Sequence, residues 1–350
     1  MVSALMLFIA ASGLAPADMA DLIEQRLAAL DRLVLDVTLE VCGGHSDSPV
    51  LDRAAWNVLA TYPYRVSILR PNVRVEFLKD DPQAGYQPVV ASVFDGEYTQ
   101  RSARPSARGT WVYGVVPQAR QAGVVLWNPL LQVLDLGLYD SPPPGDLNIV
   151  SVLRDPSATL VRSVGAISTY AALVPTSHFP MRFEMDIDDA GLPLRIKSSI
   201  EYREANTPPT YYEEFVLQTT PVNGAELPTE IAVTHWGAKM PNYWNVWLYR
   251  VSSVEVCNDL TAADVQVEVE RRNAAVTEYL PDGTARVTQY NERGEPTDTT
   301  SFSHPVNADT GDPAAIARAA RWNKAVGPAA GGIGLVTALA LAHLARRGHH

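Results

Sequence analysis

Residues 65–78 read RVSILRPNVRVEFL. Apolar side chains fall at every second position on either side of a turn signal: Val66 and Ile68, then Arg70-Pro71-Asn72, then Val73, Val75 and Phe77. Period-two alternation buries one face of a strand, and so short a connection leaves no room for a crossover helix. The two runs are therefore neighbouring antiparallel strands. The same period continues upstream at Leu35, Val37, Leu39 and Val41. Downstream it gives strands over Val89–Phe94, Tyr98–Arg101 and Thr110–Val116, with turns at Asp81-Pro82 and Asp95-Gly96.

Outside this meander the period changes. Leu22, Ile23, Arg26, Leu27, Leu30, Leu33 and Val34 recur at helical spacing, predicting a helix over Asp18–Leu35 capped by Asp18 or Asp21. A short helix is expected near Leu51–Ala60. The run VLWNPLLQVLDLGL predicts a buried helix over Val125–Leu138 that Pro129 kinks or starts. After Pro142-Pro143-Pro144, strands are expected over Asn148–Arg154, Ala158–Val164, Arg182–Ile187, Leu194–Arg203, Tyr211–Thr219, Thr229–Trp236, Trp244–Cys257 and Val265–Arg272. Hairpin turns fall at Asp188–Gly191, at Val222-Asn223-Gly224 and around Pro281-Asp282-Gly283. The expected fold class is mainly β with a few helices: a curved antiparallel sheet with an N-terminal and a central helix. So many strands must curl or close, and a helix on the concave side would cover its apolar face.

Composition fits this and removes several function classes. The chain has 350 residues, of which 47% are hydrophobic and 19% charged, enough apolar material for a large core. Its 26 prolines argue against an all-helical protein. The net charge is −11 without a basic block, which makes nucleic acid a poor partner. Two cysteines exclude a disulfide-dense miniprotein and a cysteine-based zinc site.

The two ends point to export. Ala4–Ala11 form a short apolar run, and Ala15-Pro16-Ala17 fits a signal-peptidase site, predicting a signal peptide over 1–17. A frayed start before a buried helix is the alternative, because residues 1–3 carry no Lys or Arg. Val326–Ala345 is free of formal charge and, at about 30 Å as a helix, matches the bilayer core. Arg346-Arg347 follow in a basic tail over 346–350, so a transmembrane anchor is expected, with a buried C-terminal helix as the alternative. Between the ends lie the sheet domain, 18–302, and a linker with a short helix, 303–325. Residues 265–302 either extend the sheet or form an appended hairpin. The expected location is the periplasmic or extracytoplasmic side, held to a membrane by the C-terminal helix. In an oxidising space Cys42 and Cys257 are disulfide candidates, against two buried free thiols.

Catalytic and metal chemistry find little support. The seven histidines are scattered, with no HExxH and no paired-cysteine spacing. Asp186-x-Asp188-x-Ala190-Gly191 lacks the oxygen ligands of a calcium loop and reads as a turn. No G-x-S-x-G elbow occurs, and Gly43–Asp47 holds three triad residue types in one contiguous loop, where triad geometry rarely forms. No enzyme activity and no cofactor are expected. Aromatic residues are the stronger clue. Trp236, Tyr243, Trp244, Trp247 and Tyr249 cluster, and Trp111 and Tyr113 share an earlier strand. They either line a cavity for an acyl chain or pack an ordinary core, and core packing is the commoner case.

Arg70-Pro71-Asn72-x-Arg74, followed by a strand ending in Asp95-Gly96 and by Trp111-Val112-Tyr113, resembles the LolA-like lipoprotein-carrier fold. Gly191–Arg195 and Val222–Thr229 are similar to paired late hairpins in larger bacterial relatives. The resemblance covers about Asp18–Leu260. It implies a curved half-barrel whose apolar mouth is plugged by helices, and a lipid or lipoprotein acyl chain as the partner. The functional expectation is a membrane-tethered, non-enzymatic module that binds such a chain in its trough, with Trp111, Tyr113, Trp236, Trp244 and Trp247 as lining. A surface interaction or sensor domain with a filled core and no ligand is the alternative.

Overall fold

In the computed structural model the described residues are 13–45, 57–77, 89–94, 97–103, 111–117, 129–136, 148–175, 180–200, 210–236, 243–279 and 284–303. Three helices are seen there: α1 (Pro16–Ala28), α2 (Pro129–Val133) and α3 (Ile149–Arg154). The first six strands are β1 (Arg32–His45), β2 (Asn57–Leu69), β3 (Asn72–Phe77), β4 (Val89–Phe94), β5 (Glu97–Ala103) and β6 (Trp111–Pro117). After α3 come β7 (Thr159–Val164), β8 (Ile167–Val174), β9 (Met181–Asp188), β10 (Pro193–Ile200), β11 (Thr210–Val222), β12 (Ala225–Trp236) and β13 (Tyr243–Val256). The last three are β14 (Ala274–Tyr279), β15 (Thr284–Tyr290) and β16 (Pro296–Ser303).

All sixteen join one open sheet in the order β16-β15-β14-β6-β5-β4-β3-β2-β1-β13-β12-β11-β10-β9-β8-β7. Every neighbouring pair is antiparallel except β14 with β6, which is parallel. The chain therefore builds one wing as a meander from β1 to β6 and the other from β13 back to β7. The β1–β13 pair welds them: Leu33 meets Val256 at one end and His45 meets Tyr243 at the other. The segment after β13 then crosses over, and β14–β16 extend the β6 edge. The stretch around 265–302 thus continues the sheet.

Several expectations change. Residues 57–60 belong to β2, whose pairing with β1 overrides the helix expected near Leu51–Ala60. Asn148–Arg154 is a helix and no strand, because Asn148 and Ser151 form a capping box: the Asn148 side chain accepts from the Ser151 N–H at 2.7 Å, and Ser151 Oγ accepts from the Asn148 N–H at 2.8 Å. Strand β8 is an addition to the expected strands, and Gly165 at φ +61° makes the turn before it. Val265–Arg272 forms no strand; a 3₁₀ turn over Ala262–Val265 and irregular chain occupy the position. α1 starts at Pro16, with Ala15 as its cap position and no side-chain cap, so neither Asp18 nor Asp21 caps it. It ends at Ala28, so Leu33 and Val34 lie on β1. Pro129 starts α2, and of the expected Val125–Leu138 helix the described part spans Pro129–Val133.

The helices cover one face of the sheet, here the inner face. Leu33, Leu35 and Val37 of β1, Tyr64, Val66 and Ile68 of β2, and Phe183, Met185 and Ile187 of β9 alternate onto it and are buried. They pack with Met19, Ala20, Ile23 and Leu27 of α1, Leu130 and Val133 of α2, and Ile149 and Val152 of α3 in a single core. The intervening residues of β9 face outward and are polar, and there Arg195 of β10 binds Glu184, Asp186 and, from β11, Glu213. The β9–β10 turn abuts α1. Gly191 there has φ +77°, and a Cβ would lie 3.2 Å from the Ile23 backbone nitrogen, so both conformation and space favour glycine.

Among the described residues no helix is long and apolar enough to cross a membrane. The predicted span Val326–Ala345 and most of the predicted leader lie outside the described residues, as do Asp95 and Gly96.

Candidate functional site

The inner face is closed over by helical pieces, held by two buried charged residues, Arg26 and Asp135, and by the half-buried Arg70. Arg26 sits in the last turn of α1, at a position of the apolar stripe, and is 7% exposed. Its Nη1 donates to the Glu226 carbonyl of β12 at 3.0 Å and its Nη2 to the Val133 carbonyl of α2 at 3.2 Å. Arg70, in the turn between β2 and β3, donates from Nη2 to the Leu134 carbonyl at 2.6 Å. Two guanidiniums thus hold consecutive carbonyls at the end of α2, where the helix leaves acceptors without intrahelical partners.

Asp135 follows directly, at φ +57°. Its Oδ1 accepts from the Val150 N–H in the first turn of α3 at 3.0 Å. One side chain therefore ties the end of α2 to the start of α3. On the exposed side, Arg154 of α3 donates to Asp21 and Glu24 of α1 at 2.7–2.8 Å. Ahead of α1, the Tyr170 hydroxyl of β8 donates to the Leu14 carbonyl at 2.9 Å.

Burial sets the electrostatics of this junction. It lowers the Arg26 pKa to about 10; nearby Asp188 opposes the shift and Arg70 adds to it. Arg70 is lowered by the same cause, against the pull of Asp135 and Asp31. Both stay cationic at neutral pH. Burial raises Asp135 to about 6, against the opposing effect of its backbone hydrogen bonds and of Arg70. A second buried acid, Glu214, faces inward from β11 between Ile196 and Val233, and burial holds it well above the ordinary carboxyl range.

Of the predicted aromatic residues, Trp236, Trp244, Trp247 and Tyr249 lie on the adjoining strands β12 and β13. Trp247 and Tyr249 share the inner face, 8% and 4% exposed, and Tyr249 packs edge-on to Tyr64 at 6.3 Å. Their predicted opposites, Val246 and Leu248, are buried as well. Trp236 pairs with Tyr211, and Trp244 with Gly44, near one end of β12 and β13. Trp111 and Tyr113 lie on β6, six ladder steps from β13.

The turn motif fares differently. Arg70 is the α2 clamp, Arg70-Pro71 is a cis peptide, and Leu69 pairs with Asn72 across the turn. Arg74 points to the outer side, donating to the Gln266 carbonyl at 3.3 Å and to Glu76 at 3.2 Å.

The cysteine bridge is corrected. Both thiols are free: Cys42 is opposite Val246, whereas Cys257 bonds to the carbonyl of Arg32, ten positions along β1. Ten strand residues span about 33 Å, far beyond the roughly 7 Å limit for two bridged Cα atoms.

Sequence reasoning missed Arg26, Asp135 and Glu214 as site residues. A signal existed for the first two: each is a lone charge inside an apolar pattern. Among the described residues no group of three or more His, Cys, Asp or Glu side chains is arranged to hold a metal ion.

The fold and the junction define an open, mostly antiparallel β-sheet protein with a helical cover on one face. No family model and no curated protein matches the chain. It is similar to the crystal structure of a DUF1329 family protein from Desulfovibrio piger, at 13% identity over 72% of this chain and 96% of that one, with a TM-score of 0.44. A likeness that distant carries no argument about function.

Proposed function

We propose that this chain is a non-enzymatic carrier or receptor module of the LolA-like kind, which takes a lipid or lipoprotein acyl chain against the inner face of its sheet. The observation that carries the reading is the clamp on α2. A five-residue helix covers an apolar face, and two side chains from α1 and β2 reach its terminal carbonyls. So short a helix has little stability of its own and persists through tertiary contacts. Opening those few bonds would expose Leu130, Val133, Leu227 and Ile231 to an incoming chain. The apolar ligand would gain roughly 0.8 kcal/mol for each CH₂ it buries.

The test is a length series. Straight-chain alkanols from eight to sixteen carbons, kept below their aggregation limits, are titrated into the full chain. Saturable binding should tighten with length, approaching about fourfold for each fully buried methylene. No saturable binding at any length overturns the reading. It would favour a surface interaction or sensor domain with a filled core, which the burial of Trp247 and Tyr249 supports.

The tether is part of the same proposal. Deleting Val326–His350 should move the protein from the membrane to the soluble fraction. A truncated chain that still sediments with membranes would remove the anchor from the proposal.

A further inference from the structure

We infer that Arg26 and Arg70 form a subsite for the anionic head group of an acyl-chain ligand, a carboxylate or a phosphate ester. The inference rests on the reading above, that the inner face takes an acyl chain, and adds the chemistry of the other end of that ligand.

Each guanidinium has five N–H donors in a planar fork. Arg26 directs two groups at backbone carbonyls, Glu226 and Val133, and Arg70 directs one at Leu134. The Nε–H of each is buried and has no hydrogen-bond partner among the described residues. Arg26 as a residue is 7% exposed, so water has little access to its unused donor. An unmade hydrogen bond of a buried charged group is costly, and the native chain tolerates two of them side by side. Val133 and Leu134 are consecutive, which brings the two cations together, and their mutual repulsion is felt: Arg70 lowers the proton affinity of Arg26.

Local negative charge does not resolve this. Asp135 directs Oδ1 at Val150, and the Oδ1 of Asp188 accepts from the N–H groups of Ala190 and Leu192. Neither guanidinium forms an ion pair with a carboxylate among the described residues. A ligand oxyanion would supply what both Nε–H groups lack, and planar recognition of carboxylate or phosphate is the chemistry at which arginine excels. The surroundings suit an amphiphile: Leu27, Leu30, Ile68, Leu134 and Leu227 are all buried in the same core. A head group here would place its chain on the inner face.

The test compares head groups on one sixteen-carbon chain. Hexadecanoate, hexadecyl phosphate, hexadecanol and hexadecylammonium are titrated into the full chain at pH 7.5. At least one anion should bind tenfold or more tightly than the alcohol, and the ammonium no better than the alcohol. Which anion leads separates a fatty carboxylate from a phosphate ester as the source. Arg26→Gln should abolish the anion preference, so that hexadecanoate and hexadecyl phosphate bind no better than hexadecanol, and its melting curve shows whether it folds. If it does not fold, the wild-type comparison alone decides. Equal affinity for anion and alcohol, a preference for the ammonium, or an undiminished anion preference in Arg26→Gln would overturn the subsite while leaving the acyl-chain reading intact. Binding of none of the four would overturn both.

Discussion

Arg70→Met should release α2 from the sheet, with amide exchange over Leu130–Leu136 quickening by about 10- to 100-fold as a charge-assisted hydrogen bond worth roughly 1.5–3 kcal/mol is lost. Two effects compete. The substitution leaves the Leu134 carbonyl without the guanidinium that meets it at 2.6 Å. It also removes a cation whose burial is unfavourable, as its lowered proton affinity records. In global unfolding these offset, so the melting temperature should move much less than the local exchange rate. In the opening of α2 they do not, because an opened Arg70 is solvated and the lost bond dominates. Hydrogen-exchange mass spectrometry reads the two separately. Unchanged protection over 130–136, with loss elsewhere, would show that Arg70 supports the β2–β3 turn and does not hold the cover. Arg70→Lys keeps the charge without the planar fork and should fall between.

The second large effect concerns pH. Asp135 has its carboxyl raised from 3.8 to about 6 in the folded protein. A carboxyl raised by folding disfavours the folded state once ionised. Its contribution is therefore neutral below about pH 4, falls as pH climbs to 6, and stays low above that. The full difference, for a carboxyl raised from 3.8 to about 6, is about 3 kcal/mol. Asp135→Asn removes the ionisation and keeps an acceptor for Val150, in a left-handed backbone position that asparagine tolerates. The carboxylate also accepts from the Ile149 N–H, and an amide, with one acceptor oxygen in place of two, offsets part of the gain. The variant should be more stable than wild type by about 1–2 kcal/mol at pH 7.5, with the gap closing towards pH 4. Asp36 and Asp264 have lowered pKa values and stabilise with rising pH, so the difference between the two denaturation curves, and not either alone, isolates Asp135. A pH-independent difference would mean that Asp135 acts only through its hydrogen bonds. Because an opened cover would return Asp135 to solvent, closing it takes up a proton between about pH 4 and 6.

Much of the scaffold was legible from residue order. The alternation in RVSILRPNVRVEFL became β2, its turn and β3, with Val66 opposite Val75 and Ile68 opposite Val73. The hairpin signals at Asp188–Gly191 and Val222–Gly224 became the β9–β10 and β11–β12 turns. Errors fell where short segments carry two signals. Asn148–Arg154 is rich enough in β-branched residues to read as a strand, yet a capping box at its first residue turns it into a helix. Asn57–Ala60 has no local preference strong enough to resist pairing with β1. The cysteine pairing failed because two similar strand ends were compared without the register that sets them at opposite ends of β1.

The candidate site was legible only in part. Arg70 was singled out for its turn, and Arg26 and Asp135 stood as lone charges in apolar patterns, but nothing in the order of residues joins them. Side-chain periodicity reports which face of an element is buried, and that is a local property determined by the sequence alone: strands, their antiparallel sense and the apolar stripe of α1. What the tertiary structure alone decided is that Arg26 reaches carbonyls 200 and 107 residues away and Arg70 one 64 residues away. Their partners are backbone oxygens, which every residue possesses, so such contacts leave no trace in residue identity and exist only once the sheet has brought α1, β2 and α2 together.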